Sequence, residues 1–150
     1  MSTYTQILYQ VVFRSKYFTE FLTEENKTEL FDYIAGIIKN RKSIPYKVGG
    51  YGNHLHLIIY LHPTEPLSGF VREVKRSSHN WMIEKKDTYK AFSGWQVGYG
   101  AFTYNHSSRK NLVNYVKNQF SHHENKTFQD EYISILKQHE IEFELKYLFV

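Results

Sequence analysis

Gly52 to Leu61 reads GNHLHLIIYL. The run from Asn53 to His62 has the length and apolar content of a β-strand, with glycine before it and Pro63 after it. Successive side chains on a strand point to opposite faces. Leu55, Leu57, Ile59 and Leu61 therefore share one face, and His54 and His56 share the other. The leucine face needs helices to cover it. The histidine face carries two imidazoles side by side.

The flanking sequence supplies those helices. Tyr4 to Lys16 alternates, with Ile7, Tyr9, Val11 and Phe13 on one side and Gln6, Gln10, Arg14 and Lys16 on the other. This predicts a half-buried strand. The next run opens with Thr23 as an N-cap and acids in its first turn, then repeats Leu30, Ile34, Ile37 and Ile38 at helical spacing. Ser43 to Tyr51 predicts a strand ending in glycines. PLSGFVREVKRSSHNWMIEKK predicts a second helix with Leu67, Phe70, Val71, Val74 and Trp81 inward. Gly94 to Tyr104 predicts another strand, and Ser107 to His123 a third helix. A short helix near Phe128 to His139 and an extended tail, IEFELKYLFV, complete the chain.

The order is β-α-β-β-α-β followed by helices. That is an α+β fold of the split βαβ, ferredoxin-like or RRM-like kind. It implies a four-stranded antiparallel sheet with two helices on one face and the other face free. No linker or repeat interrupts residues 1–150, so one domain is expected.

Composition narrows the function classes. The chain is 41% hydrophobic and 17% aromatic, which excludes disorder. It has no cysteine, so disulfides and thiolate metal sites are excluded. The first residues lack the pattern of a secretory signal, and no apolar run approaches the roughly 20 residues of a membrane span. A cytoplasmic protein without a membrane partner is expected. The N-x-[ST] matches at Asn26, Asn105 and Asn125 then carry no meaning. A net charge of +4, from 19 basic and 15 acidic residues, leans mildly toward a polyanionic partner.

Two imidazoles at i and i+2 on one strand face can share a metal ion or hold a phosphate. A metal would need a further ligand from His, Asp, Glu, Gln or Asn. In the third helix Leu112, Val113, Val116 and Phe120 form an apolar stripe. Tyr115, Gln119 and His122 form a second stripe beside it. A tyrosine hydroxyl and a glutamine amide one turn apart can then face one point in space.

Taken together, YQVVFRSKY, NHLHLIIYL, VGYGAFTYNHSS and NYVKNQFSHH resemble the single-tyrosine HUH transposases of the simplest bacterial insertion sequences and the related REP-associated tyrosine transposases. HUH denotes His, bulky hydrophobe, His, here His54-Leu55-His56. The resemblance runs from about Tyr9 to His123. It implies that His54, His56 and Gln119 hold Mg²⁺ or Mn²⁺, and that Tyr115 attacks a DNA phosphodiester. The products would be a 5′-phosphotyrosine link and a 3′-hydroxyl, which a second strand transfer rejoins. It further implies single-stranded, hairpin-marked DNA as substrate, a homodimer, a bacterial cytoplasm and no small-molecule substrate. One residue departs from the family: Asn53 stands where aspartate often precedes the first histidine.

Candidate phosphate contacts are Arg72, Lys75 and Arg76, which form one stripe of the second helix with His79. Lys85 and Lys86 follow on the same helix. Arg14 and Lys16 end the first strand, and Arg109 and Lys110 begin the third helix. The alternative function is a domesticated or non-catalytic binder of hairpin or single-stranded nucleic acid on the same fold. An RNA-recognition module would need its aromatic signature, which is absent. A cupin-type metalloenzyme would need an all-β barrel rather than three substantial helices.

Overall fold

The computed structural model describes residues 1–123 and 126–150, without the side chain of His122. Four strands form one antiparallel sheet in the order β2-β3-β1-β4: β1 Leu8–Arg14, β2 Ile44–Tyr51, β3 His54–Tyr60 and β4 Gly100–Tyr104. Helices α1 (Lys27–Asn40) and α2 (Leu67–Glu84) make the two crossovers. This is the expected α+β, split βαβ arrangement, with β3 inserted between β1 and β2.

Periodicity decides what α1 and α2 cover. Leu30, Ile34 and Ile38 of α1, with Phe70, Val71 and Val74 of α2, lie against Val11, Phe13, Leu55, Leu57 and Ile59. Trp81 is half-buried and stacks on Tyr33 of α1, with ring centres 4.6 Å apart.

The opposite face is not free, which corrects the expectation from sequence. Three helices cover it: α3 (Arg109–Lys117), the single turn α4 (Gln119–His122) and α5 (Phe128–Gln138). Val116 of α3 packs on Leu8 and Ile58. Phe128, Ile135 and Leu136 of α5 pack on Val12 and Phe102. Both central strands therefore carry apolar residues on both parities, as a sheet buried on both sides requires.

Other boundaries moved for local reasons. β1 begins at Leu8 because its neighbours end at Tyr60 and Tyr104, opposite that residue. Tyr17 and Phe18, with φ of 59° and 53°, turn the chain away soon after β1. Thr23 caps the turn that leads into α1: it exchanges hydrogen bonds with Asn26, its carbonyl accepts from Lys27, and the regular helix starts after Asn26. The strand expected from Gly94 shrinks to Gly100–Tyr104, because Gly94 and Gly98 have φ of 145° and 96°. The third helix breaks at Asn118, whose φ and ψ of −97° and 19° interrupt it between Lys117 and Gln119. The tail is not extended. It ends in a helical turn, α6 (Leu145–Leu148), with Leu148 and Phe149 packed beside Phe128 and Tyr132.

Gly49 sets how closely α3 approaches the sheet. A Cβ there would lie 2.5 Å from Val116 Cγ1 and 3.0 Å from the Val116 carbonyl oxygen. Gly49→Ala is expected to cost about 1–3 kcal/mol in urea unfolding by overpacking. Gly36→Ala, in the interior of α1 with nothing within 4 Å, should stabilise by about 0.4–1 kcal/mol.

Candidate metal and nucleophile site

β3 places His54 and His56 between β1 and β2, with His54 opposite Arg14 and Tyr51, and His56 opposite Val12 and Gly49. Both imidazoles are fully buried. Each has its Nδ1 fixed by a side-chain amide. His54 Nδ1 lies 3.0 Å from Asn53 Oδ1, and His56 Nδ1 lies 2.8 Å from Gln10 Oε1. Those oxygens only accept, so each Nδ1 carries the proton and each Nε2 of a neutral ring presents a lone pair. Burial, above all, pushes the His54 pKa down to about 4, which keeps that ring neutral.

The two Nε2 atoms aim at one oxygen. Glu131 Oε1, from the first turn of α5, lies 3.1 Å from His54 Nε2 and 3.0 Å from His56 Nε2. His123 Nε2 reaches the same oxygen at 3.2 Å. Glu131 is 1% exposed. Its other oxygen, Oε2, accepts from the Tyr115 hydroxyl and, at 3.0 Å, from Gln119 Nε2. Gln119 Oε1 is 3.1 Å from His54 Nε2. Burial raises the Glu131 carboxyl, but the charge of His56 and the hydrogen bonds of all three histidines outweigh it and hold the group well below the carboxylate range. Burial, then the Glu131 charge, raises the Tyr115 phenol well above its ordinary value.

The residues expected from sequence thus meet: His54, His56 and Gln119 are buried together, and the half-buried Tyr115 joins them through Glu131. The helix break at Asn118 does not separate Tyr115 from Gln119, since both reach Glu131. His122 of the same stripe lies outside the described side chains. Glu131, His123 and Gln10 were not anticipated. A signal existed for Glu131: it stands between Phe128 and Ile135 on the apolar face of α5, where an acid needs a partner. A cleft of about 460 Å³ between α3 and α5 opens on Tyr115 and Glu131, with Ser108, Asn111 and Lys126 on its walls.

The basic candidates fall elsewhere. Arg14 is largely buried, its guanidinium 3.8 Å over the Phe18 ring and donating to the Ser15 carbonyl, at the wall of a cleft it shares with Gln96 and Tyr132. Lys16, Arg72, Arg76 and Lys110 are exposed. Lys75 ties down the loop before β4 by donating at 2.7 Å to the carbonyls of Gln96 and Gly98, and burial lowers its pKa to about 8. With Arg72, Arg76, His79 and that loop it lines a groove of about 610 Å³ on the α2 side of the sheet. Arg109 lies 5.0 Å over the Tyr46 ring.

The family model described as "Transposase IS200 like" matches residues 3–119. The chain belongs to the IS200-like transposase family. Among curated proteins nothing matches. Two solved structures share the transposase fold. One, from Deinococcus radiodurans R1 and assigned as a transposase, has a TM-score of 0.60 at 20% identity, over 79% of this chain and 95% of its own. The other is a REP-associated tyrosine transposase bound to a REP hairpin, with a TM-score of 0.56 at 17% identity, over 82% of this chain and 74% of its own. No helix among the described residues of this transposase is long and apolar enough to cross a membrane.

Gln10 is 2% exposed and joins His56 to the Tyr104 hydroxyl. Gln10→Leu should strand a buried imidazole N–H and cost about 1–3 kcal/mol. Thermal unfolding monitored by circular dichroism measures it.

Proposed function

We propose that this transposase cleaves and rejoins single-stranded DNA at hairpin-marked ends through a 5′-phosphotyrosine on Tyr115, with Mg²⁺ or Mn²⁺ bound by His54 and His56. One observation carries the reading: the Nε2 lone pairs of both histidines and the Tyr115 hydroxyl converge on one buried carboxylate. Facing lone pairs and a carboxylate oxygen about 3 Å apart repel one another unless a proton or a cation lies among them. The donor set of two imidazoles and an oxygen fits a divalent cation. Gln119 and Glu131 both reach the place of a third protein donor.

The bound ion would polarise the phosphate and neutralise charge on the departing oxygen. The chain supplies the rest. The α3–α5 cleft admits the backbone to the half-buried tyrosine. Tyr115 Oη loses its proton as it attacks phosphorus, the bond from phosphorus to the 3′-oxygen breaks, and that oxygen takes up a proton. A different 3′-hydroxyl reverses the step, and the phosphodiester is conserved without ATP. A phenol held so far above its usual pKa is a poor nucleophile until the ion and substrate lower that cost.

The neighbour that holds a REP hairpin supports a hairpin as the recognised element. Arg72 and the exposed Lys16 and Lys110 suit its phosphates, whereas Arg76 is paired with Glu73 at 2.9 Å and would exchange that partner for a phosphate. Tyr115 and the histidines meet within one chain, which supports cleavage by a site built from a single copy. A homodimer, as the resemblance implies, would bring two ends together. The place of action is the bacterial cytoplasm, where chromosomal DNA lies.

The test is denaturing electrophoresis with labelled single-stranded DNA carrying the element's own ends, with Mn²⁺ or EDTA. A metal-dependent covalent adduct, absent from Tyr115→Phe, is the expected result. A hairpin-specific shift on a native gel without any adduct would favour the non-catalytic binder. Mixing Tyr115→Phe with His56→Ala should not restore the adduct, because the site is built within one chain. Restoration would show that copies share it.

Arg72→Ala should weaken binding to hairpins of any sequence about equally and lower the salt-dependence slope by about 1. Lys75→Ala should act mainly on stability, by releasing the loop before β4. Binding titrations at several salt concentrations and melting curves separate the two.

A further inference from the structure

We propose that Glu131 is the third protein ligand of the ion, and that Gln119 positions it. The inference rests on the metal-dependent reading above and changes the ligand set that the resemblance implies. Three observations carry it.

The first is spacing. Ligand atoms bound at right angles about 2.1 Å from an octahedral ion stand roughly 3 Å apart. Glu131 Oε1 stands 3.1 and 3.0 Å from His54 Nε2 and His56 Nε2. The ligand atoms of these three residues all lie within 4.8 Å of one another. Gln119 Oε1 comes within hydrogen-bond distance of His54 Nε2.

The second is charge. Two neutral imidazoles leave a divalent cation uncompensated in a buried site. A carboxylate supplies charge that an amide does not, and hard divalent ions prefer it. Glu131 is itself buried among three imidazoles, and an ion bound by His54 and His56 would take over the role of cationic partner that a protonated imidazole fills without it.

The third is the division of labour between its two oxygens. Oε1 faces the histidines, while Oε2 accepts from Tyr115 and Gln119. Gln119 donates its amide to Glu131 and turns its own oxygen to His54. That is the placement of a group that orients a ligand. One carboxylate then joins the ion to the nucleophile, and loading the ion fixes the Tyr115 hydroxyl beside it.

The experiment is Mn²⁺ binding to the full chain without DNA, by isothermal titration calorimetry and by the loss of the free-ion signal in electron paramagnetic resonance. Wild type, His56→Ala, Glu131→Gln, Glu131→Asp and Gln119→Ala are compared, with circular dichroism melts confirming folding. Glu131→Gln keeps size and hydrogen-bonding shape. It should weaken binding at least about tenfold, like His56→Ala. Glu131→Asp keeps the charge on a shorter arm and should fall between it and wild type. Gln119→Ala should stay within about threefold of wild type. Unchanged affinity in Glu131→Gln, or a loss in Gln119→Ala matching His56→Ala, would overturn the assignment. So would a wild type that binds no Mn²⁺, and that result alone would also remove the metal-dependent reading. Metal binding that follows the expected pattern without a covalent adduct would leave the ligand set standing and count against the reaction only.

Discussion

The structure turns on three electron-rich atoms held at contact distance in a buried place: His54 Nε2, His56 Nε2 and Glu131 Oε1. With no proton or cation among them, burial strengthens their mutual repulsion and removes the water that would relieve it, and with one it strengthens the attraction instead. Such an arrangement persists only if the scaffold around it is firm. The rings are held from behind by Asn53 and Gln10. The carboxylate is held by the seating of α5, whose Phe128 and Ile135 are buried against Val12 and Phe102 and whose first turn is capped by Thr127. The tyrosine is held by α3, which comes close because Gly49 has no side chain. Each support is an ordinary packing or hydrogen-bonding feature, and together they fix a cluster that none of them would tolerate alone.

This also explains the departure at Asn53. A side chain before the first histidine needs an oxygen for the His54 Nδ1 proton, and asparagine supplies one as aspartate would. The ring orientation and tautomer are kept. The extra negative charge that aspartate would bring is not needed there, because Glu131 brings one directly to the Nε2 side.

What the sequence made legible follows from period and parity. The alternation in β3 assigned Leu55, Leu57 and Ile59 to one face and the histidines to the other, and the 3.6-residue repeat of α2 assigned Phe70, Val71 and Val74 to the core. The covered second face was harder to read. Leu8, Val12 and Ile58 sit on the polar parity and were its only announcement. Glu131 was hidden for a different reason. Its link to His54 spans 77 positions and depends on where α5 lands, which no local pattern encodes. Local backbone geometry hid the rest: the positive φ of Gly94 and Gly98 removed half of an expected strand, and a single residue, Asn118, broke an expected helix.

The groove bordered by Arg72, Lys75 and Arg76 lies on the α2 side, and the tyrosine opens to the cleft between α3 and α5 on the other, where Lys126 also stands. In the proposed reaction a polyanion that touches both must pass around an edge of the sheet. The strand order leaves β4 at one edge. Residues Gln96 to Tyr99, just before β4, border the groove, and Tyr104, its last residue, lines the cleft. Five residues at about 3.4 Å each give β4 a length of roughly 17 Å. A duplex stem is too wide and stiff to fold around an edge over that distance, whereas a single strand is not. Under the proposed reading, a groove on one face and the nucleophile on the other suit a substrate with a structured part for one side and an unpaired part for the other.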